Sequence, residues 1–228
     1  MNGIGFNLYL ITDGRSTANC SSLLFAVGEA LRSGIKAVQL REKCLTTRDI
    51  LSVAYQMRDL TAKYGAKLLI NDRVDIALCV GADGVHLGQL SLPAFAVRKI
   101  AGKRFLIGVS THTVNEALIA QKQGADFVTL GPVYRTPSKL KYGSPIGEET
   151  LRRAKAKLSI PIFGIGGIKP DNIHNVIQCG AYGIAAISGI LGEADIKAAG
   201  ERYLTSLKIF THASLAEEGG GGIAWRTK

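Results

Sequence analysis

Side chains able to hold phosphate stand in short polar stretches, each following an apolar run. In residues 38–43, VQLREK, the types Gln39, Arg41 and Lys43 alternate, and a period of two puts all three on one side of an extended segment. A guanidinium and an ammonium converging with an amide donor make a diphosphate clamp, since each offers charge-assisted hydrogen bonds. The plainer reading is an Arg and a Lys solvated at a strand end. Asn71 and Asp72 follow the next apolar run, Lys67 to Ile70. Asp72 supplies the kind of carboxylate that Mg2+ takes together with substrate phosphates, while either residue is equally suited to cap a helix starting near Val74. Asp75 faces the following turn and reads as structural.

Three later stretches carry the same polarity. GVSTHT, from Gly108, brings Ser110, His112 and Thr113 together; an imidazole there can move protons near neutral pH, and the alternatives are a packed His112 and a helix-capping Thr113. The stretch from Gly131 to Lys139, and on to Gly147, is long, rich in hydroxyls and Lys, and reads as a substrate loop. Ile165-Gly166-Gly167-Ile168 and Ile187-Ser188-Gly189 offer glycines that let an anion approach backbone N–H groups. A lone pair of glycines is a weak signal; together with the basic clamp it implies two phosphate subsites.

Positioning these groups requires a scaffold. Apolar, mostly β-branched runs recur every roughly 20 to 30 residues: Phe6 to Ile11, Ala37 to Leu40, Lys67 to Ile70, Gly84 to Leu87, Phe105 to Val109, Phe127 to Leu130, Ile160 to Ile165 and Gly183 to Ile187. Helical spacing lies between them, as in Leu23, Leu24, Val27, Leu31 and in Ile50, Val53, Met57, Leu60. Strand and helix alternate, which implies a parallel sheet. The small turns Ser33-Gly34-Ile35-Lys36, Gly81-Ala82-Asp83, Gly124-Ala125-Asp126 and Gly180-Ala181-Tyr182 repeat one device, a glycine closing a helix before the next strand. No GxGxxG follows the first strand, so a single (β/α)8 TIM barrel is favoured over an open doubly wound sheet. The barrel is expected over residues 1–210, with a last helix around Asp195 to Phe210 and a flexible glycine-rich tail over 211–228. In such a barrel the residues after each strand form the active face.

Composition is that of an ordinary globular protein and by itself leaves the domain count open. Of 228 residues, 46% are hydrophobic and 20% charged, enough apolar surface to form a core without staples. Cys20, Cys44, Cys79 and Cys179 lie far apart without a CxxC pair, which points to free thiols in a reducing cytoplasm and away from zinc. No run approaches a membrane span, and MNGIGFN lacks the pattern of an export signal. The net charge of +10 attracts anions. Because Lys and Arg are dispersed, small phosphorylated substrates are expected as partners, without nucleic acid or membrane, and a homo-oligomer is left open.

YLITD near Tyr9, QLREK from Gln39, NDRVDIAL from Asn71, GADGVHLGQ from Gly81, GVSTHT, GPVYRTPSK from Gly131 and IGGI from Ile165, in this order, resemble the thiamine phosphate synthase and thiazole tautomerase family over nearly all of residues 8–190. The resemblance implies a transferase that joins hydroxymethylpyrimidine diphosphate to thiazole phosphate by a dissociative route. Gln39, Leu40, Arg41, Glu42, Lys43, Asn71, Ser110 and Lys139 would hold the pyrimidine diphosphate. Thr136, Pro137, Ser138, Gly167, Ile187 and Ser188 would surround the thiazole phosphate. Arg41, Lys43, Ser110, His112 and Lys139 would be the catalytic groups, with Mg2+ as cofactor on Asp72 and Ser91. At position 91 the chain departs from the family, whose synthases usually carry an acid there; serine is a weaker ligand for Mg2+. Tautomerases also deviate at the metal site and use a histidine corresponding to His112, but tend to lose parts of the diphosphate clamp retained here. Isomerisation of a thiazole carboxylate phosphate, and a non-catalytic phosphate-binding role, are therefore the alternatives.

Overall fold

The computed structural model describes residues 4–14, 20–136 and 144–218, with side chains as far as residue 209. Its elements alternate: β1 (Leu8–Ile11), α1 (Cys20–Arg32), β2 (Ala37–Leu40), α2 (Thr47–Lys63), β3 (Lys67–Asn71), α3 (Val74–Cys79), β4 (Gly84–Leu87), α4 (Ala94–Ala101), β5 (Leu106–Thr111), α5 (Val114–Lys122), β6 (Phe127–Leu130), α6 (Gly147–Lys155), β7 (Ile162–Ile165), α7 (Ile173–Gln178), β8 (Gly183–Ala186), α8 (Ser188–Leu191) and α9 (Ile196–Glu218). The strands pair in parallel in chain order, and β8 closes on β1. This is the (β/α)8 barrel that the alternation predicts. Among the described residues no helix is long and apolar enough to cross a membrane.

Among the boundaries that differ from the sequence reading, three have a clear physical reason. β7 starts at Ile162, after Pro161, which has no N–H to give a ladder. β5 runs on through Ser110 and Thr111, so Ser110 is a strand residue with a fixed inward direction and no loop freedom. The last helix continues to Glu218, past the expected start of the tail at 211, because THASLAEE contains no helix breaker before the glycine run.

Local chemistry fixes the repeat. α2 buries Ile50, Val53, Ala54, Met57 and Thr61 on one face, and its N-cap Thr46 accepts from the Asp49 N–H, a cap worth about 1 kcal/mol. The glycines of the repeated turns take positive φ: 105° at Gly34, 61° at Gly81, 91° at Gly124 and 91° at Gly180. Two of these turns are stapled alike. Asp83 Oδ2 accepts from Arg58 (2.6 Å) and the Leu68 N–H (2.9 Å); Asp126 Oδ2 accepts from Arg98 (2.7 Å) and the Ile107 N–H (2.7 Å). Each carboxylate thus ties two neighbouring strands at the end opposite the mouth.

Pairing register arranges the barrel interior in layers, since adjacent parallel strands are staggered and alternate strands supply each level. Followed from strand to strand, it places Leu69, Gly108, Phe163 and Tyr9 at one level, Gln39, His86, Thr129 and Ala185 above them, and Asn71, Ser110, Ile165 and Ile11 above those. The lower interior is aromatic: Phe6, Tyr9, Phe127 and Phe163 pack with ring centroids 5.4–6.2 Å apart. The upper levels turn polar, so the floor of the mouth is lined with amide, imidazole and hydroxyl groups.

Candidate active site

One step above the strands, the inward parity reaches Arg41, Gly88, Gly131 and Ile187, which form the rim. β2 delivers Gln39 below Arg41; Gln39 is 1% exposed, and its Nε2 donates to no group among the described residues. A buried amide without a partner is a standing demand for an acceptor. Arg41 is held by its backbone, whose N–H donates to Thr12 Oγ1 (2.9 Å). Among the described residues neither the Arg41 guanidinium nor the Lys43 ammonium forms an ion pair.

The three-residue alternation does not hold throughout. β2 ends at Leu40 and the chain turns at residues 43–44, so Gln39 and Arg41 share a direction whereas Lys43 extends from an exposed turn. Leu40 is fully buried in the shell between barrel and helices. Glu42 faces sideways, its Oε2 accepting from the Gly14 N–H (2.9 Å). Burial, first among the influences on it, pushes the Glu42 carboxyl up despite the Thr12 and Gly14 bonds. Its role in the geometry is to lace the β1 and β2 loops together.

Asp72 is not a helix cap. The N-cap of α3 is Arg73, with no side-chain capping bond, and Asp72 has φ 59°, spanned by an Arg73 N–H bond to the Asn71 carbonyl (2.7 Å). A non-glycine residue in this region carries strain, which clusters at functional sites. The turn aims the Asp72 carboxylate across to the β4 loop: Oδ1 accepts from the Gly88 N–H (3.0 Å) and from the Ser91 hydroxyl, and Oδ2 accepts from Asn71 Nδ2 (2.7 Å). The expected pair of metal-site residues, Asp72 and Ser91, is thus in direct contact. Asp75 binds Arg73 at 2.9 and 2.5 Å, the structural role expected of it.

β5 carries Ser110 to the top level, and its carbonyl accepts from Gln89 Nε2. Thr113 is the N-cap of α5, accepting from the Glu116 N–H (3.1 Å), while Glu116 returns a carboxylate to the His112 N–H (2.7 Å). His112 Nδ1 lies 2.6 Å from the Gly131 carbonyl, so Nδ1 carries a proton, and in the neutral ring Nε2 is the acceptor. Both the capping Thr113 and a histidine at the mouth are therefore present.

On the opposite rim, Gly166 and Gly167 have φ 94° and 67°. A Cβ on Gly167 would lie 2.8 Å from the Arg135 carbonyl oxygen, so the glycine is demanded by the β6 loop whether or not an anion approaches. Ile187 and Ser188 open the one-turn α8. Tyr203, from α9, joins these loops: its hydroxyl donates to the Ile168 carbonyl (2.9 Å), and a Cβ on Gly189 would lie 2.2 Å from it. Nothing in the sequence patterns marks Tyr203. Thr136 closes a described segment of the β6 loop, and Pro137, Ser138 and Lys139 lie outside the described residues.

Sequence reasoning also passed over His86, which stands in a recognised motif but was given no role. It is 2% exposed, with Nε2 3.0 Å from Ser110 Oγ. Burial above all lowers its pKa to about 3, so the ring is neutral. Its inward phase, the same as that of Gly84 and opposite to Val85, was the available signal.

These features define a (β/α)8-barrel enzyme whose mouth sets Arg41 and Lys43, without ion pairs among the described residues, and the buried Gln39 amide against an acidic turn. The profile of the family described as "Thiamine monophosphate synthase" matches residues 8–190, and the chain belongs to that family. The thiamine-phosphate synthase of Clostridium novyi is 46% identical over 196 residues, covering 86% of this chain and 96% of the relative. That of Moorella thermoacetica is 48% identical over 173 residues, covering 76% and 82%. Among solved structures, the thiamine phosphate pyrophosphorylase of Pyrococcus furiosus superposes with a TM-score of 0.82 at 37% identity, covering 90% of this chain and 96% of that one. A 3-hexulose-6-phosphate synthase, at TM-score 0.68 and 20% identity over 88% and 99% of the chains, shares the fold alone.

Proposed function

We propose that this protein is a thiamine-phosphate synthase, a transferase that joins hydroxymethylpyrimidine diphosphate to thiazole phosphate and releases pyrophosphate. The observation that carries the reading is the Arg41 guanidinium above the buried Gln39 amide, which among the described residues have no ion pair and no acceptor respectively, in a chain of this family. Arg41 and Lys43, with Lys139 from the substrate loop, hold the diphosphate and stabilise the charge that grows on it as the carbon–oxygen bond breaks. Positive charge placed in advance on a leaving group is the main catalytic contribution in such a step. Gln39, Asn71 and Ser110 seat the pyrimidine, and the thiazole phosphate lies against Thr136, Pro137, Ser138, Gly167, Ile187 and Ser188. The thiazole nitrogen captures the pyrimidine methyl cation, so no protein nucleophile is needed and His112 orders the mouth through Gly131.

Mg2+ fits the acidic turn as a substrate-assisted site. Among the described residues no three His, Cys, Asp or Glu gather, so substrate phosphates and water would complete the coordination. Oδ2 of Asp72 accepts one bond and retains a lone pair, and Mg2+ takes one or two carboxylates with substrate phosphates and water. Asp72 and Ser91 would hold the ion, which when bound neutralises diphosphate charge. All four cysteines are free thiols, in keeping with a barrel acting in the cytoplasm on small phosphorylated substrates.

Purified protein given both substrates and Mg2+ is expected to release pyrophosphate and form thiamine phosphate. Isomerisation of a thiazole carboxylate phosphate without pyrophosphate release would place it with the tautomerases, and absence of both reactions would defeat the enzyme reading.

A further inference from the structure

The polar floor contains a buried group that the phosphate chemistry leaves unused. His86 points inward from β4 at the level of Gln39 and Thr129, and its two ring nitrogens meet different partners. Nδ1 lies 3.5 Å from the Tyr9 hydroxyl. Nε2 lies 3.0 Å from Ser110 Oγ and 3.5 Å from Thr129 Oγ1. Gly108 presses on the same edge: a Cβ there would lie 2.5 Å from Nδ1 and 2.4 Å from Phe127 Cζ. Only a glycine leaves room for the ring.

This arrangement fixes which atom carries the proton. The Tyr9 side chain is fully buried, burial holds its phenol in the protonated form, and a buried hydroxyl proton requires an acceptor. Among the described residues His86 Nδ1 is the acceptor within its reach, across a long bond. Tyr9 therefore donates to Nδ1. A neutral imidazole has one N–H, which then sits on Nε2 and is donated to Ser110, the nearer of the two hydroxyls. Ser110 cannot aim its own proton back along that bond, so the proton is directed away from His86.

We propose that Tyr9 and His86 are positioning residues for Ser110, fixing its hydroxyl as a donor toward the mouth so that it reads an acceptor atom of the pyrimidine diphosphate. The proposal rests on the synthase reading. Without the Tyr9 hydroxyl the ring is free to carry its proton on Nδ1. Ser110 then donates to Nε2 and turns a lone pair to the substrate, the wrong polarity for an acceptor.

A double-mutant cycle on purified full-length protein tests this, reading KM for each substrate and kcat from pyrophosphate release. Ser110→Ala should raise KM for the pyrimidine diphosphate on the order of tenfold, the effect of one lost hydrogen bond to a polar ligand. Tyr9→Phe and His86→Leu should raise the same KM and leave that for the thiazole phosphate unchanged. In the Ser110→Ala background neither should add to the effect, because a residue acting only through Ser110 has nothing left to act on. His86→Gln, whose amide can still donate to Ser110, should retain most of the wild-type affinity. Should His86→Leu fail to fold, Tyr9→Phe and His86→Gln carry the cycle by themselves. Additive effects, or a folded His86→Gln no better than Ser110→Ala, would overturn the positioning role while leaving the synthase reading intact. A wild type that releases no pyrophosphate would overturn the synthase reading first and this inference with it.

Discussion

Ser91→Asp sets a second carboxylate against Asp72, and its consequences can be worked from the contacts. Ser91 is bound directly to Asp72 Oδ1 and accepts from the Gly88 N–H (2.7 Å), so an aspartate in the same rotamer meets the Asp72 carboxylate. Two carboxylates about 4 Å apart repel by about 4 kcal/mol at an effective dielectric of about 20. Asp72 is exposed, and screening brings the cost to about 1–2 kcal/mol, including the lost hydrogen bond. In chelator, the melting temperature should therefore fall by about 2–8 °C for a chain of this size. Mg2+ should reverse the loss, since an ion that binds only the folded form stabilises by about 2.7 kcal/mol at a hundred times its dissociation constant. Differential scanning fluorimetry of wild type and variant, in chelator and across a Mg2+ series, reads both effects. The Mg2+ needed for half-maximal pyrophosphate release should fall in parallel. A variant with the wild-type melting temperature in chelator and no added response to Mg2+ would refute the claim that positions 72 and 91 form one ion site.

Three further outcomes follow from the geometry. Arg41→Ala should lower kcat for pyrophosphate release by about 10²–10³-fold, the loss seen when a transition-state donor is removed, while the melting temperature stays near wild type because the guanidinium forms no ion pair among the described residues; unchanged turnover would remove Arg41 from the clamp. Gly167→Ala should destabilise the fold by about 1–3 kcal/mol, since φ is 67° and the added Cβ meets the Arg135 carbonyl; an unchanged denaturant midpoint would refute that reading. For Asp83, burial raises the carboxyl, but the Lys67, Leu68 and Arg58 bonds outweigh it and hold the pKa below the ordinary value. Its contribution is present above the unfolded pKa, near pH 4, and is lost as pH falls through the lower folded value. Asp83→Asn should cost about 1–2 kcal/mol at pH 7, with the gap from wild type narrowing below pH 4 in urea titrations.

The alternation of strands and helices was legible because apolar runs such as Phe127 to Leu130 and the glycine-closed turns repeat with the period of one βα unit. Arg41 and Gln39 were legible for the same reason, since both continue the inward phase of a strand. The direction of Lys43 was not, because the backbone turns before the alternation reaches it. Asp72 was ambiguous between capping and ligation in one dimension, and its positive φ and contact with Ser91 remove the capping reading. His86 and Tyr203 were missed because their roles depend on strands and loops distant in sequence: barrel register sets the level of His86 with Ser110, and the docking of α9 brings Tyr203 to the Ile168 carbonyl.

The central claim is that the mouth of this barrel holds a pyrimidine diphosphate and expels its pyrophosphate to a thiazole phosphate. It is tested most directly by the stoichiometry of purified wild type with both substrates and Mg2+, measuring pyrophosphate and thiamine phosphate in the same samples. The account predicts equal amounts of the two products, with both falling to background when either substrate is omitted. Pyrophosphate released without thiamine phosphate, or no release at all under these conditions, would contradict it.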